Sequence, residues 1–287
     1  MHHVSENTGR EEIVTIDREH YLATSHPKVM TIAGSDSGAG AGIQADLKTF
    51  AALGVYGTSV LTAITAQNTL GVHAIEEVSR TLIRAQIDAI MSDIGAFAVK
   101  TGMLATAQII DTVAEKLDEH HIDQLVVDPV MVAKGGSLLL RQDAVETLRT
   151  KLIPKALIVT PNVPEAEVLT NRRIASVADA KQAAREIVHD LSARIAVIKG
   201  GHLEGSALDV YYDGRSFHEL VAGRIATTST HGTGCTLSAA IAAYLARRLG
   251  PLESVKRAKQ YLTKALLNAY PIGSGHGPLN HLYRITR

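Results

Sequence analysis

Residues 29–42 read Val29-Met-Thr-Ile-Ala-Gly34-Ser-Asp36-Ser-Gly38-Ala-Gly40-Ala41-Gly42, and Ile43 to Leu53 follow with helical apolar spacing. An apolar run, a glycine-rich turn and an amphipathic helix, in that order, open a βα unit. The pattern recurs. Runs rich in Val and Ile occupy Thr58 to Ala66, Ala96 to Met103, Gln124 to Met131, Ala156 to Thr160 and Ile195 to Gly200, bounded by Gly, Pro, Asn or Asp. Amphipathic stretches lie between them at Thr81 to Ser92, Gln108 to His120 and Ala178 to Leu191. This alternation predicts an α/β fold with a mostly parallel sheet covered by helices on both faces. Ala207 to Tyr212 and Phe217 to Val221, joined through Asp213-Gly214, predict an antiparallel edge hairpin. Two helices follow, Gly234 to Leu249 and Leu252 to Ala269.

The 287 residues carry 29 Lys+Arg against 29 Asp+Glu, without the basic excess expected of a nucleic-acid binder. No apolar stretch reaches the ~18 residues that span a bilayer, so no membrane partner is expected. One cysteine, Cys235, excludes an intrachain disulfide, and Met1-His2-His3-Val4-Ser5-Glu6 lacks a signal-peptide pattern. A cytoplasmic protein is expected. Residues 1–27 mix charge, His, Ser and Thr without periodicity and read as a partly disordered N-terminal extension. Residues 28–287 read as one domain, with no internal repeat or linker.

In open α/β sheets, ligands bind outside the carboxyl ends of the strands. The unusual residues cluster there: the glycine loop after the first strand, then Gln67-Asn68, Lys100-Thr-Gly102-Met103, Asp128-Pro129-Val130, Thr160-Pro-Asn162 and Lys199-Gly-Gly201. Gly40-x-Gly42-x-x-Ala45 meets the loose dinucleotide fingerprint, but Thr58 to Thr65 offers no carboxylate for a ribose diol. A nicotinamide oxidoreductase is therefore demoted. A turn that merely lets helix and strand pack closely stays open. No Walker A string exists, because Gly95 to Lys100-Thr101 lacks its second glycine. His2-His3 and His120-His121 are adjacent pairs and give no zinc signature.

The most specific string is His231-Gly232-Thr233-Gly234-Cys235-Thr236, which runs into an Ala-rich helix. Glycines let successive amides converge, and a helix start adds about half a positive charge, so the string predicts an anion hole. Such donors would stabilise a phosphoryl group in flight. The plainer reading is a buried helix start with Cys235 as a small apolar plug. Asn162-Val-Pro-Glu165 puts a carboxylate in a helix's first turn, where it either complements the dipole or, with Asp128, holds magnesium directly or through water.

Seven ordered motifs together resemble hydroxymethylpyrimidine/phosphomethylpyrimidine kinase of the ribokinase-like superfamily. They are Gly34 to Asp46, Ala66-Gln-Asn68, Lys100-Thr-Gly-Met-Leu104, Asp128-Pro-Val-Met131, Thr160-Pro-Asn-Val-Pro-Glu-Ala166, Lys199-Gly-Gly-His202 and His231 to Thr236. The resemblance implies a ribokinase-like three-layer α/β/α fold. It also implies an enzyme that uses ATP and Mg2+ to phosphorylate 4-amino-5-hydroxymethyl-2-methylpyrimidine and then its monophosphate, in thiamine biosynthesis. Carried over by motif, Gln67 reads the aminopyrimidine edge, since a carboxamide offers both acceptor and donors. Gly34, Asp36, Ala41, Met103 and Val130 line the same pocket. Gly232, Thr233, Gly234 and Cys235 are catalytic; the helix start is expected to lower the thiol pKa so that Cys235 takes the hydroxymethyl proton in the first step. Asp128, Asn162 and Glu165 organise magnesium, Lys199 lies near the nucleotide phosphates, and Lys134-Gly135-Gly136 forms a flap. The resemblance further implies a homodimer. The nearest rival is a pyridoxal or pyridoxine kinase, disfavoured because the flap carries Ala133 where strongly active relatives have a second cysteine. A non-catalytic pyrimidine-binding protein is the remaining alternative.

Overall fold

The apolar runs become strands that are buried on both faces: every residue of Ala98–Thr101, Leu125–Val127 and Ile195–Ile198 is shielded from water. The computed structural model describes residues 26–133, 136, 138–201 and 207–285. In chain order the strands are β1 (Lys28–Asp36), β2 (Tyr56–Gln67), β3 (Val72–Glu77), β4 (Ala98–Thr101), β5 (Leu125–Val127), β6 (Ile158–Val159), β7 (Ile195–Ile198), β8 (Ala207–Tyr212) and β9 (Phe217–Ala222). They form one sheet in the order β3-β2-β1-β4-β5-β6-β7-β8-β9. From β2 to β7 all neighbours are parallel. The edges are antiparallel, β3 on one side and the β8–β9 hairpin on the other.

The helices are α1 (Gly42–Ala52), α2 (Arg80–Asp93), α3 (Ala107–Glu119), α4 (Ala144–Thr147), α5 (Val163–Thr170), α6 (Val177–His189), α7 (Thr233–Ala246) and α8 (Pro251–Leu267). Their starts are chemically marked: Ser79, Thr106 and Ser176 accept a backbone N–H from the first turns of α2, α3 and α6. Helices α2 to α6 cover one face of the sheet through residues such as Ile83, Ile110, Ala144, Ala166 and Ala183. On the other face lie α1, α7 and α8, with Phe50, Ile241 and Tyr261. Three layers result, as the alternation predicts. Helix α7 is buried all round from Thr236 to Ala246. Its alanines let it lie flush between the sheet and its neighbours.

One strand escapes the sequence reading. Val72-His-Ala-Ile-Glu-Glu is exposed over nearly its whole length. It joins the sheet only by pairing antiparallel with the end of β2, from Ala63↔Glu77 to Gln67↔Val72. The extension expected over residues 1–27 lies outside the described residues, apart from His26 and Pro27.

Strand order reverses at β1, where β2 lies to one side and β4 to the other. Ligands of such sheets bind at this switch point. The rim formed by the strand ends therefore presents, in spatial order, Gln67 (β2), Asp36 (β1), Lys100 (β4), then residues after β5, β6 and β7, and finally Asp209 on β8.

Candidate active site

A cavity of about 860 Å³ runs along this rim, and every candidate substrate-binding, catalytic, nucleotide-binding and magnesium-binding residue lines it, whereas Gly136 of the expected flap does not. From β2 to β8 is six strand spacings, ~29 Å at ~4.8 Å each. Gln67, Gly34, Asp36, Ala41 and Met103 come from β2, β1 and the segments after β1 and β4, toward one end, and Val130 follows β5. Asp128 and Lys199 directly follow β5 and β7, and Asn162 and Glu165 lie at the start of α5 just after β6, in the middle. Gly232, Thr233, Gly234 and Cys235 approach from α7 on the far face. Lysine 134 and Gly135 of the expected flap lie outside the described residues.

The glycine loop after β1 is built around Asp36, 2% exposed. Its carboxylate accepts N–H bonds from Gly38 (2.8 Å), Gly40 (3.1 Å) and Ala41 (2.8 Å), and one from His231 Nε2 (2.8 Å). Burial alone would raise its pKa, but the His231 bond and the loop amides outweigh burial and hold it below the usual carboxylate range. Asp36 thus lines the pocket as the organiser of its loop, with most of its lone pairs engaged.

The α7 start packs onto that loop. Gly232, the N-cap, sits at φ +81, and a Cβ there would run into the carbonyl oxygen of Gly40. No side chain caps this helix. Its first amides, at Thr233, Gly234 and Cys235, therefore remain for a ligand, with the positive end of the dipole behind them. A methyl built on Gly234 would lie 3.2 Å from Lys199 Nζ, which places the lysine directly beside these amides.

Lys199 donates to Asp128 Oδ1 at 2.9 Å and lies 3.8 Å from Glu165 Oε2. Asp128 is also approached by Thr160 Oγ1 (3.4 Å) and, on Oδ2, by Ser238 Oγ of α7 (3.3 Å). Asn162 and Glu165 form a reciprocal capping box at the start of α5: Glu165 N–H donates to Asn162 Oδ1 (2.9 Å) and Asn162 N–H to Glu165 Oε2 (2.8 Å). The helix-start role left open by the sequence is therefore present. Burial pushes Glu165 up to about 7 against the opposing pull of Lys199.

Cys235 departs from expectation. Burial pushes its thiol up to about 11, although the Lys100 ammonium pulls the other way, so the lowering expected from the helix start is not found. The Asp46 and Asp128 carboxylates push the thiol in the same direction as burial does.

Several site residues carried no assigned role in the sequence. Lys100 is wholly buried, donates to Asp46 Oδ2 at 2.8 Å, and lines the cavity. Burial would lower its pKa, yet the Asp46 charge wins and raises it. A lysine inside the otherwise apolar Ala-Val-Lys-Thr strand was the available signal. At the far end of the rim, Lys259 of α8 pairs with Asp209 of β8 at 2.6 Å, beside Leu262 and Leu266. Nothing local to Lys259 in sequence announces that contact, which joins residues 50 positions apart.

Comparison with known proteins identifies the family and the fold. Residues 36–280 match the family model for phosphomethylpyrimidine kinase. The hydroxymethylpyrimidine/phosphomethylpyrimidine kinase of Rhizobium meliloti is 52% identical over 260 residues, covering 89% of this chain and 97% of that protein. Its Bacillus subtilis counterpart is 48% identical over 256 residues, covering 88% and 94%. A thiamine biosynthesis bifunctional protein of Geobacter sulfurreducens is 52% identical over 255 residues, 88% of this chain but only 52% of that longer protein. Among solved structures, phosphomethylpyrimidine kinase from Clostridium difficile 630 superposes with a TM-score of 0.75 at 46% identity, over 83% of this chain and 98% of that one. An ADP complex of Bacillus subtilis pyridoxal kinase gives 0.84 at 40% identity, over 91% and 100%. The three layers are thus the ribokinase-like fold, and on sequence and structure alike the chain belongs to the phosphomethylpyrimidine kinase family.

Proposed function

We propose that the chain phosphorylates 4-amino-5-hydroxymethyl-2-methylpyrimidine with ATP, and then the resulting monophosphate to the diphosphate, in thiamine biosynthesis. The supporting observation is the uncapped start of α7, set midway along a rim that has a carboxamide at one end and an apolar cleft at the other. The pyrimidine lies at Gln67, Met103 and Val130, and the nucleotide base near Leu262 and Leu266. The transferring phosphoryl group then meets the amides of Thr233, Gly234 and Cys235. Charge spreads over its equatorial oxygens in a loose transition state, so preorganised donors and the neighbouring Lys199 carry most of the catalysis.

Only the first step has an alcohol proton to lose. Cys235 accepts it as the minor thiolate form, and Lys100 is the nearby positive charge that steadies that form. In the second step the acceptor is already an ionised phosphate and needs no base.

Magnesium fits this donor set through its water shell. Lys199 occupies the near oxygen of Asp128, and the Glu165 carboxylate accepts backbone N–H bonds from Asn162 and Met131. Asp128 and Glu165, with Asn162 holding Glu165 in place, would bind the ion's waters, and the ion would neutralise phosphate charge.

Similarity to the pyridoxal kinases of Bacillus subtilis and Staphylococcus aureus favours one rival substrate. ATP-dependent turnover of the aminopyrimidine, with little or none of pyridoxal, supports the proposal; the reverse preference refutes it. We also propose a cytoplasmic homodimer. The outer edge of β3 is unpaired among the described residues and open to a second copy, and no described helix is long and apolar enough to cross a membrane. Sedimentation at micromolar concentration tests the dimer.

A further inference from the structure

The side-chain amide of Gln67 touches two groups that have no freedom left. Its Nε2 is placed 3.2 Å from His231 Nε2, and its Oε1 3.2 Å from Thr65 Oγ1. His231 Nε2 lies 2.8 Å from Asp36 Oδ2, an ionised carboxylate already held by three loop amides, so this nitrogen carries a hydrogen and donates it. Thr65 has a single hydroxyl hydrogen, given to the Ser35 carbonyl at 2.9 Å. Towards Gln67, therefore, the histidine offers no lone pair and only a share of the one hydrogen it gives to Asp36, while the threonine, its hydrogen on Ser35, offers an acceptor. Oxygen and nitrogen of a carboxamide have nearly the same shape, and the hydrogen-bond balance decides which faces which. Here it requires Oε1 toward His231 and Nε2 toward Thr65, the exchange of the two ends.

The histidine itself cannot turn away. Its backbone N–H donates to Gly277 O at 3.0 Å, and its ring lies so close to Gly40 that a side chain there would strike it. Thr65 is 5% exposed within β2, and its contact to the Ser35 carbonyl (2.9 Å) is shorter than its contact to Gln67 (3.2 Å), which favours the hydroxyl hydrogen on Ser35.

We infer that His231 and Thr65 are positioning residues that lock the amide of Gln67 in one orientation and thereby set a preference for an amino- over an oxo-substituted pyrimidine edge. After both pins are satisfied, the amide retains one N–H and one oxygen lone pair, in a fixed order. A 4-aminopyrimidine offers the matching pair, an exocyclic N–H donor beside a ring-nitrogen acceptor. The 4-oxo form offers a carbonyl acceptor beside a ring N–H, the reversed order, and would need the amide turned over. A site whose groups are fixed in this way rejects the mismatched edge strongly.

This inference rests on Gln67 reading the pyrimidine, and the test separates the two claims. The dissociation constants of 4-amino-5-hydroxymethyl-2-methylpyrimidine and its 4-oxo analogue are measured by calorimetry for the native chain, Thr65→Val, Thr65→Ser and His231→Ala. ATP-analogue binding and melting temperature are followed alongside. The native chain prefers the amino compound, and Thr65→Val and His231→Ala reduce that preference by roughly tenfold or more. Thr65→Ser retains the preference, and nucleotide affinity is unchanged in both Thr65 variants. A merely structural role would weaken both ligands alike and leave their ratio intact. A native ratio near one sinks the Gln67 assignment and this inference with it. A strong native ratio that survives in folded Thr65→Val, or in folded His231→Ala, overturns the inference alone.

Discussion

Raising the pH separates the two phosphorylations if Cys235 accepts the alcohol proton. Burial pushes the thiol up to about 11. At pH 8 roughly one molecule in a thousand then carries the thiolate, and each further pH unit multiplies that share by about ten until the pKa is reached. Because the pKa is raised, the active form grows with pH throughout the accessible range. The first step should accordingly show kcat/KM rising about tenfold per unit between pH 7 and 10. The second step, whose acceptor phosphate is ionised from the start, should show no such slope. Cys235→Ala should flatten the first-step profile and lower its rate at pH 9 by roughly 10²-fold or more, while changing the second step far less. Chromatographic separation of mono- and diphosphate, each formed from its own purified acceptor, reads the two rates independently. A flat native profile for the first step, or an alanine variant that keeps the slope, contradicts the assignment of the thiol as base.

Three further outcomes are expected. Gln67→Ala removes paired hydrogen bonds worth roughly 1–3 kcal/mol when left unmade, so the KM for the pyrimidine should rise while that for ATP holds; an unchanged pyrimidine KM refutes the contact. Gly232→Ala imposes a left-handed alanine, about 1–2 kcal/mol by conformation alone, and forces the α7 start off the glycine loop. Activity should fall by roughly 10²-fold with the melting transition still cooperative, whereas full activity would mean that the amides at this turn do not matter. Lys100→Met strands Asp46, whose Oδ1 already lacks a partner, and should cost roughly 3–5 kcal/mol in urea unfolding. In that variant the carboxyl prefers its neutral form when folded, so the loss should be smaller at pH 5 than at pH 8. An equal loss at both would show that the buried charge is not its cause.

The parallel core was legible because its strands are buried on both faces, which writes uninterrupted apolar runs into the sequence. Strand β3 was not, since Val72 to Glu77 is mostly exposed and its pairing with β2 is written in no local pattern. The same contrast governs the site. The glycine loop and the Gly232 to Cys235 turn are contiguous strings that announce themselves. The bonds that give their residues particular tasks join positions far apart: Asp36 with His231, Lys100 with Asp46, Lys199 with Asp128. Cys235 shows the limit most sharply. Its place at a helix start is readable, but the burial that reverses the expected shift belongs to the assembled cleft.

The most direct measurement is a crystal structure with a non-hydrolysable ATP analogue and the hydroxymethylpyrimidine bound together. The terminal phosphate should lie within hydrogen-bonding distance of the Thr233, Gly234 and Cys235 amides, in line with a ring-borne alcohol held beside Gln67. A terminal phosphate seated elsewhere along the rim, or a pyrimidine turned away from Gln67, would contradict the proposed catalysis at its root.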